Sequence, residues 1–216
     1  QMLDIDTIIF DVDGTLVDSR KDIVRAINFT LRKLKFPEKP PELIISYIGL
    51  GIRDLIKKNL GEQKRDFADE ALKIFTGYFR RHSADESRLY PHVKETLDYF
   101  RNKRKVVITN RNRESAEITL KKLSIGDYFE EIFGGDDEDC IKPSACPLDR
   151  VCSKLGMDKS KIIMVGDMDI DIKAGKEFDI RTCWVSYGLG KREDVEKIEP
   201  DYVIDDIIEL KKIIRR

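Results

Sequence analysis

Two aspartates, Asp11 and Asp13, stand directly behind the apolar run Thr7-Ile8-Ile9-Phe10 and ahead of Gly14-Thr15-Leu16. A β-branched run of that kind reads as a buried strand, so the carboxylates fall at its carboxyl end. Strand side chains alternate with a period of two, and the pair therefore starts out on one side. Two carboxylates about 4 Å apart repel by about 4 kcal/mol at an effective dielectric near 20. A divalent cation with oxygen ligands is the simplest way to hold them together. Gly14 lets the chain turn away at once, and the amides of Gly14 and Thr15 are expected to face a ligand.

Further along, other polar groups follow short apolar runs. Val106-Val107-Ile108 ends in Thr109-Asn110, and Lys161-Ile162-Ile163-Met164-Val165 ends in Gly166-Asp167, with Asp169 and Asp171 close behind. Lys142 stands alone before Pro143, after the acidic stretch Asp136-Asp137-Glu138-Asp139. A phosphoryl group suits this set, because its transfer needs an in-line nucleophile, cations on the equatorial oxygens and a proton source. Asp11 is the candidate nucleophile, through covalent carboxylate catalysis. Asp13 is the candidate acid for the leaving oxygen and then the base for the attacking water. Lys142 is a point charge able to balance Asp11 and hold phosphate. Thr109 and Asn110 are candidate donors to phosphate oxygens. Asp167, with Asp171, suits Mg²⁺, a hard cation that favours oxygen ligands. Asp171 reads equally as a support or helix cap, four residues after Asp167. Asp169 reads as solvated, and residues 136–139 as an exposed acidic loop.

The elements that must position these groups alternate. From Val93 onward, helix-period and strand-like segments take turns, ending in strands at Thr182-Cys183-Trp184-Val185 and Tyr202-Val203-Ile204 and a closing helix at 206–214. That alternation predicts an α/β fold, a Rossmann-like parallel sheet with helices on both faces. Ligands of such sheets bind outside the carboxyl ends of the strands, at a topological switch point. Residues 17–87 carry helical periodicity only, broken at Pro37 and Pro40-Pro41. They predict an all-helical domain inserted between 1–16 and 88–216, hinged near Val17-Asp18 and Leu89-Tyr90-Pro91. The basic cluster Arg101 to Lys105 reads as a solvated turn.

Composition narrows the function classes. In 216 residues, 41% are hydrophobic and 38% charged, with a formal net charge of −1. That balance gives no electrostatic case for nucleic acid or an anionic membrane. No apolar stretch approaches the roughly 20 residues of a membrane span, and no signal peptide is visible. Gln1 reads as an addition before a natural start at Met2. Cys140, Cys146, Cys152 and Cys183 lack CxxC spacing, so a zinc site is not expected and reduced thiols in a cytoplasmic protein are. His82 and His92 are the two histidines, and His92 lies near a hinge. Oligomeric state is expected to be monomer or homodimer.

Taken together, the motifs resemble those of the haloacid dehalogenase superfamily, in its order, and the helical insertion resembles that superfamily's small cap. Asp11 to Ser19 (DVDGTLVDS), Ile48 to Arg53 (IGLGIR), Tyr90-Pro91, Thr109-Asn110, Lys142-Pro143 and Tyr202 to Asp205 are similar to its phosphoglycolate phosphatase-like branch. The resemblance implies a Mg²⁺-dependent phosphatase acting on a small phosphorylated metabolite through an aspartyl phosphate. It implies Asp11 as nucleophile, Asp13 as acid/base, and Asp11, the Asp13 carbonyl and Asp167 around Mg²⁺. A cap closing over the site would read the leaving group, with Arg53 a candidate for a substrate carboxylate or second phosphate. Met168 departs from the usual Ser or Thr, and Pro91-His92 from Pro-Gly. A phosphosugar mutase and a pyrophosphatase use the same core, while a phospho-aspartate signalling module is the alternative from another class.

Overall fold

The computed structural model describes residues 2–216; Gln1 lies outside them. Six strands form a parallel sheet in the order β5-β4-β1-β6-β7-β8. They are β1 (Thr7–Phe10), β4 (Arg104–Ile108), β5 (Glu131–Phe133), β6 (Ile162–Gly166), β7 (Arg181–Val185) and β8 (Tyr202–Ile204). β1 lies between β4 and β6, with Phe10 in register with Val107 on one side and Val165 on the other. All four of its residues are buried, as a central parallel strand requires. The chain first builds outward from β1 through β4 and β5, then crosses to β6 on the opposite side. β1 therefore marks the switch point where a ligand crevice opens.

Side-chain alternation sorts the sheet into two cores. Ile8, Phe10, Val107, Ile163 and Val165 pack with Val93 and Leu97 of α5 (Val93–Tyr99) and Ala116 and Leu120 of α6 (Arg113–Lys122). Ile9, Val106, Ile108 and Met164 face the other way, against Leu148 and Val151 of α7 (Cys146–Leu155) and Ala174 of α8 (Asp169–Glu177).

The segment after β1 is helical: α1 (Arg20–Lys33), α2 (Pro41–Ile45), α3 (Ile52–Leu60) and α4 (Ala68–His82). Ile23, Ile27 and Leu31 line one stripe of α1 and join Ile44, Leu55, Phe75 and Phe79 in a cluster separate from those of the sheet. Where the chain leaves and returns, β2 (Val17–Asp18) pairs antiparallel with β3 (Arg88–Leu89). Buried Asp22 ties the return to α1, accepting from the Glu86 and Ser87 amides and from the Ser87 hydroxyl at 2.6 Å.

Two expectations need correction. Lys105 is not in a solvated turn: it is buried in β4, where its Nζ donates to the carbonyls of Phe100 at 2.6 Å and Lys103 at 2.9 Å. Its long stem folds back to cap the preceding turn, an arrangement that a run of basic residues conceals. Nor are all four thiols free. Cys140 and Cys146 form a disulfide, Cα to Cα 5.2 Å, across the reversal of the chain between β5 and α7. Cys152 and Cys183 are free and buried.

Candidate active site

A single lysine organises the carboxyl end of the sheet. Lys142, only 1% exposed, donates from Nζ to Asp11 Oδ1 at 2.6 Å, Asp171 Oδ1 at 2.7 Å and the Ile108 carbonyl at 2.8 Å. All three ammonium donors are satisfied. Asp11 has just left β1, Asp171 sits in the first turn of α8, and Lys142 comes from the disulfide-closed loop. Asn110 braces that loop: its Oδ1 accepts from the Lys142 amide, and its Nδ2 donates to the carbonyls of Lys142 and Gly49. The amide group expected to contact phosphate therefore serves the lysine and joins the helical segment to the sheet.

Asp167 completes the cluster without a cation of its own. It accepts from the Thr15 hydroxyl at 2.9 Å and the Leu189 amide at 2.7 Å. The contact is close enough to require glycine at position 14, where φ is +93° and a Cβ would lie 2.1 Å from the Asp167 carboxylate. Carboxylate oxygens of Asp11, Asp167 and Asp171 lie within 4.8 Å of one another. Burial pushes Asp11 up to about 7, against the pull of Lys142 and with Asp171 and Asp13 adding to the rise. Burial also raises Asp167 well above the usual carboxylate range, helped by Asp171 and Asp11. At Lys142 burial opposes the charge, but Asp11 and Asp171 outweigh it and hold the ammonium protonated. Three buried carboxylates, of which Lys142 meets two, are the donor set a hard divalent cation fits. Both oxygens of Asp171 are already engaged, by Lys142 and by the Met168 amide at 2.9 Å, whereas Asp11 is tied through Oδ1.

Asp13 faces a cleft between the sheet and the helical segment. Its Oδ1 accepts from the Ser19 hydroxyl and from Arg111 Nη2 at 2.5 Å, and its Oδ2 from Arg111 Nε at 3.0 Å. Arg111 escaped the reading of the sequence because Arg111-Asn112-Arg113 looks like an ordinary charged loop. Its one signal was adjacency to Thr109-Asn110. Thr109 is buried beside it and accepts from its backbone amide at 3.1 Å. The cleft, about 90 Å³, is roofed by Ile48, Leu55, Phe75 and Phe79, with Met168 packed under Gly49.

The turn into β2 engages the Gly14 and Thr15 amides, which donate to the Val17 carbonyl at 2.9 Å and the Val12 carbonyl at 3.3 Å. Arg53 lies outside the cleft, paired with Asp69 at 3.1 Å and with Glu138. Gly51, at φ +89°, starts α3 so that Ile52 turns to the cleft and Arg53 away from it. His92 is exposed and meets Asp206 at 2.6 Å. Asp169 pairs with Lys173 at 2.6 Å, and the acidic loop is exposed, with Asp137 on Arg150 and Glu138 on Arg53.

A family model described as haloacid dehalogenase-like hydrolase matches residues 8–185. The chain belongs to the haloacid dehalogenase-like hydrolases. Within that family it is similar to the phosphoglycolate phosphatase of Haemophilus influenzae, 32% identical over 215 residues that cover 95% of this chain and 96% of that protein. The phosphoglycolate phosphatase of Aquifex aeolicus is 33% identical over 209 residues, covering 96% and 95%. Among solved structures, a Haemophilus somnus protein described as a predicted phosphoglycolate phosphatase superposes with a TM-score of 0.88 at 28% identity, covering 98% of this chain and 99% of that one. This haloacid dehalogenase-like hydrolase is thus of the phosphoric monoester hydrolase type, in the phosphoglycolate phosphatase-like branch. No helix of the described residues is long and apolar enough to cross a membrane.

Proposed function

We propose that this hydrolase cleaves a small, carboxylate-bearing phosphomonoester, phosphoglycolate first among them, through a phosphoryl-aspartate at Asp11. The observation that carries the reading is the buried Asp11–Lys142–Asp171 centre, with Asp167 alongside and Asp13 two residues after Asp11. Asp11 forms the new bond to phosphorus as the bond to the leaving oxygen breaks, and Asp13 gives that oxygen its proton. In the second half, Asp13 takes a proton from water, the water oxygen attacks phosphorus, and the Asp11–phosphorus bond breaks to release phosphate. Lys142 keeps a positive charge beside Asp11 while negative charge gathers on the phosphoryl oxygens. Thr109, buried at the cleft floor, offers its hydroxyl proton to one of them. Mg²⁺, held by Asp11, Asp167 and the Asp13 carbonyl and supported by Asp171, would neutralise charge so that an anion can approach an anion. The apolar roof excludes water from the closed cleft.

Phosphate release would be measured with Mg²⁺ from a panel of phosphoglycolate, β-glucose 1-phosphate, pyrophosphate and several sugar phosphates. The expected result is one preferred monoester, with turnover abolished by EDTA and reduced at least about 1000-fold in Asp11→Asn. Conversion of β-glucose 1-phosphate without net phosphate release would replace this reading by a mutase. A long-lived phosphoryl-aspartate with no turnover would replace it by a signalling module.

A further inference from the structure

Arg111 is a buried charge whose bonds are arranged for exchange. Its guanidinium is forked onto both oxygens of Asp13, anchored through Nη1 to the Thr119 hydroxyl at 2.8 Å, and covered on one face by the Phe79 ring at 4.8 Å. The Ser19 hydroxyl also occupies Asp13 Oδ1. In this arrangement Oδ1 of Asp13 is filled by Ser19 and Arg111, and Oδ2 takes the Arg111 Nε, so the fork holds the carboxylate turned onto the arginine and opens before Asp13 swings to a leaving oxygen. The partner that opens it must be a better-placed anion, since the surrounding roof is apolar. A guanidinium fork matches a carboxylate with two parallel hydrogen bonds.

A second donor waits in the same cleft. Ser115 Oγ is buried and has no hydrogen-bond partner among the described residues, although Ser115 lines the cleft beside Arg111. The other cationic side chains of the lining are otherwise engaged. Lys142 is held by Asp11 and Asp171, and Arg80 is mostly exposed and paired with Glu114. We infer that Arg111, with Ser115, reads a carboxylate on the leaving group, and that this exchange of partners frees Asp13 for proton transfer. The Thr119 and Phe79 contacts hold the arginine in place while its fork changes hands. Recognition and activation are then one event: a substrate without the carboxylate leaves Asp13 locked. The inference rests on the hydrolase reading above and assigns to Arg111 the role that the sequence suggested for Arg53.

The test compares phosphoglycolate with ethyl phosphate, which has the same chain length and no carboxylate. Values of kcat/KM would be measured for the wild type, Arg111→Met, Arg111→Lys and Ser115→Ala, with thermal unfolding of each. The wild type should favour phosphoglycolate at least 100-fold on the order expected for a buried ion pair. Arg111→Met should bring that ratio within about tenfold of unity, Arg111→Lys should restore part of it, and Ser115→Ala should lower it about threefold. Equal losses on both substrates in Arg111→Met, with the ratio intact, would overturn the inference. So would a wild type that cleaves both equally well, while leaving it a phosphatase. A wild type that releases phosphate from no monoester overturns the hydrolase reading itself.

Discussion

Lys142 and Arg111 both bury a positive charge at the carboxyl end of the central strands, but their surroundings differ. Lys142 has each donor on a fixed group of the sheet side: two carboxylates and a carbonyl. Arg111 stands where the sheet meets the helical segment, with Asp13 and Thr119 on one side and the Phe79 ring on the other. In the proposed mechanism the first charge serves throughout phosphoryl transfer, among fixed partners of the sheet. The second, in the exchange inferred above, changes partners where the sheet meets the helical segment. On that reading, placement within the fold separates a constant charge from a switching one.

The sharpest way to break that comparison is to remove the fixed charge. Lys142→Met should lower turnover by at least about 1000-fold and destabilise the fold by about 3 to 5 kcal/mol, because Asp11 and Asp171 are left buried without their cation. Phosphate release and urea unfolding would check both numbers. A loss of activity with undiminished stability would show that Lys142 is no more fixed than Arg111.

The carboxylates of the fixed centre also predict a pH dependence. Burial raises Asp11 to about 7 in the metal-free fold, while an unfolded aspartate titrates near 4. Between those values the folded state holds a proton that the unfolded chain has released. Stability of the metal-free protein should therefore be greatest below the lower value and fall as pH rises through about 7. Mg²⁺ competes with that proton, so it should raise the melting temperature more at pH near 8 than near 5. Thermal unfolding in EDTA and in Mg²⁺ would measure it. A melting temperature in EDTA that climbs across this window would contradict the raised Asp11.

A smaller effect is expected from the bridge that closes the Lys142 loop. Replacing Cys140 and Cys146 together by Ser should reduce stability by about 2 kcal/mol, the scale for a short closed loop. Urea unfolding under non-reducing conditions would show it. Smallest of all, Arg53→Ala should change kcat/KM on phosphoglycolate less than about twofold and stability by less than about 1 kcal/mol, since both its ion pairs are exposed. A tenfold rise in KM would return Arg53 to the cleft and weaken the assignment of Arg111.

Much of this was legible in the residue order. The continuous apolar runs at Thr7–Phe10 and Ile162–Gly166 announced buried parallel strands, and the polar residues after them marked the candidate site at the strands' carboxyl ends. The helical periodicity of residues 17–87 corresponds to α1 to α4, where Ile23, Ile27 and Leu31 pack in a cluster apart from those of the sheet. What stayed hidden depended on who faces whom across long separations. Arg111 and Asp13 are 98 residues apart, and nothing in the spacing of either names the other. The resemblance of Ile48 to Arg53 implied Arg53 as a substrate group, whereas the start of α3 sets it in ion pairs with Asp69 and Glu138. The amides of Gly14 and Thr15 looked available because the turn that uses them is closed by Val12 and Val17.

By itself, then, the sequence determined the strands, the order of the reactive groups and the chemistry they suit, because apolar periodicity and residue type are local properties. Only the tertiary structure decided which cation meets which carboxylate. Charge pairing in a buried site is settled by geometry across the sheet and cleft, where solvent no longer screens the choice.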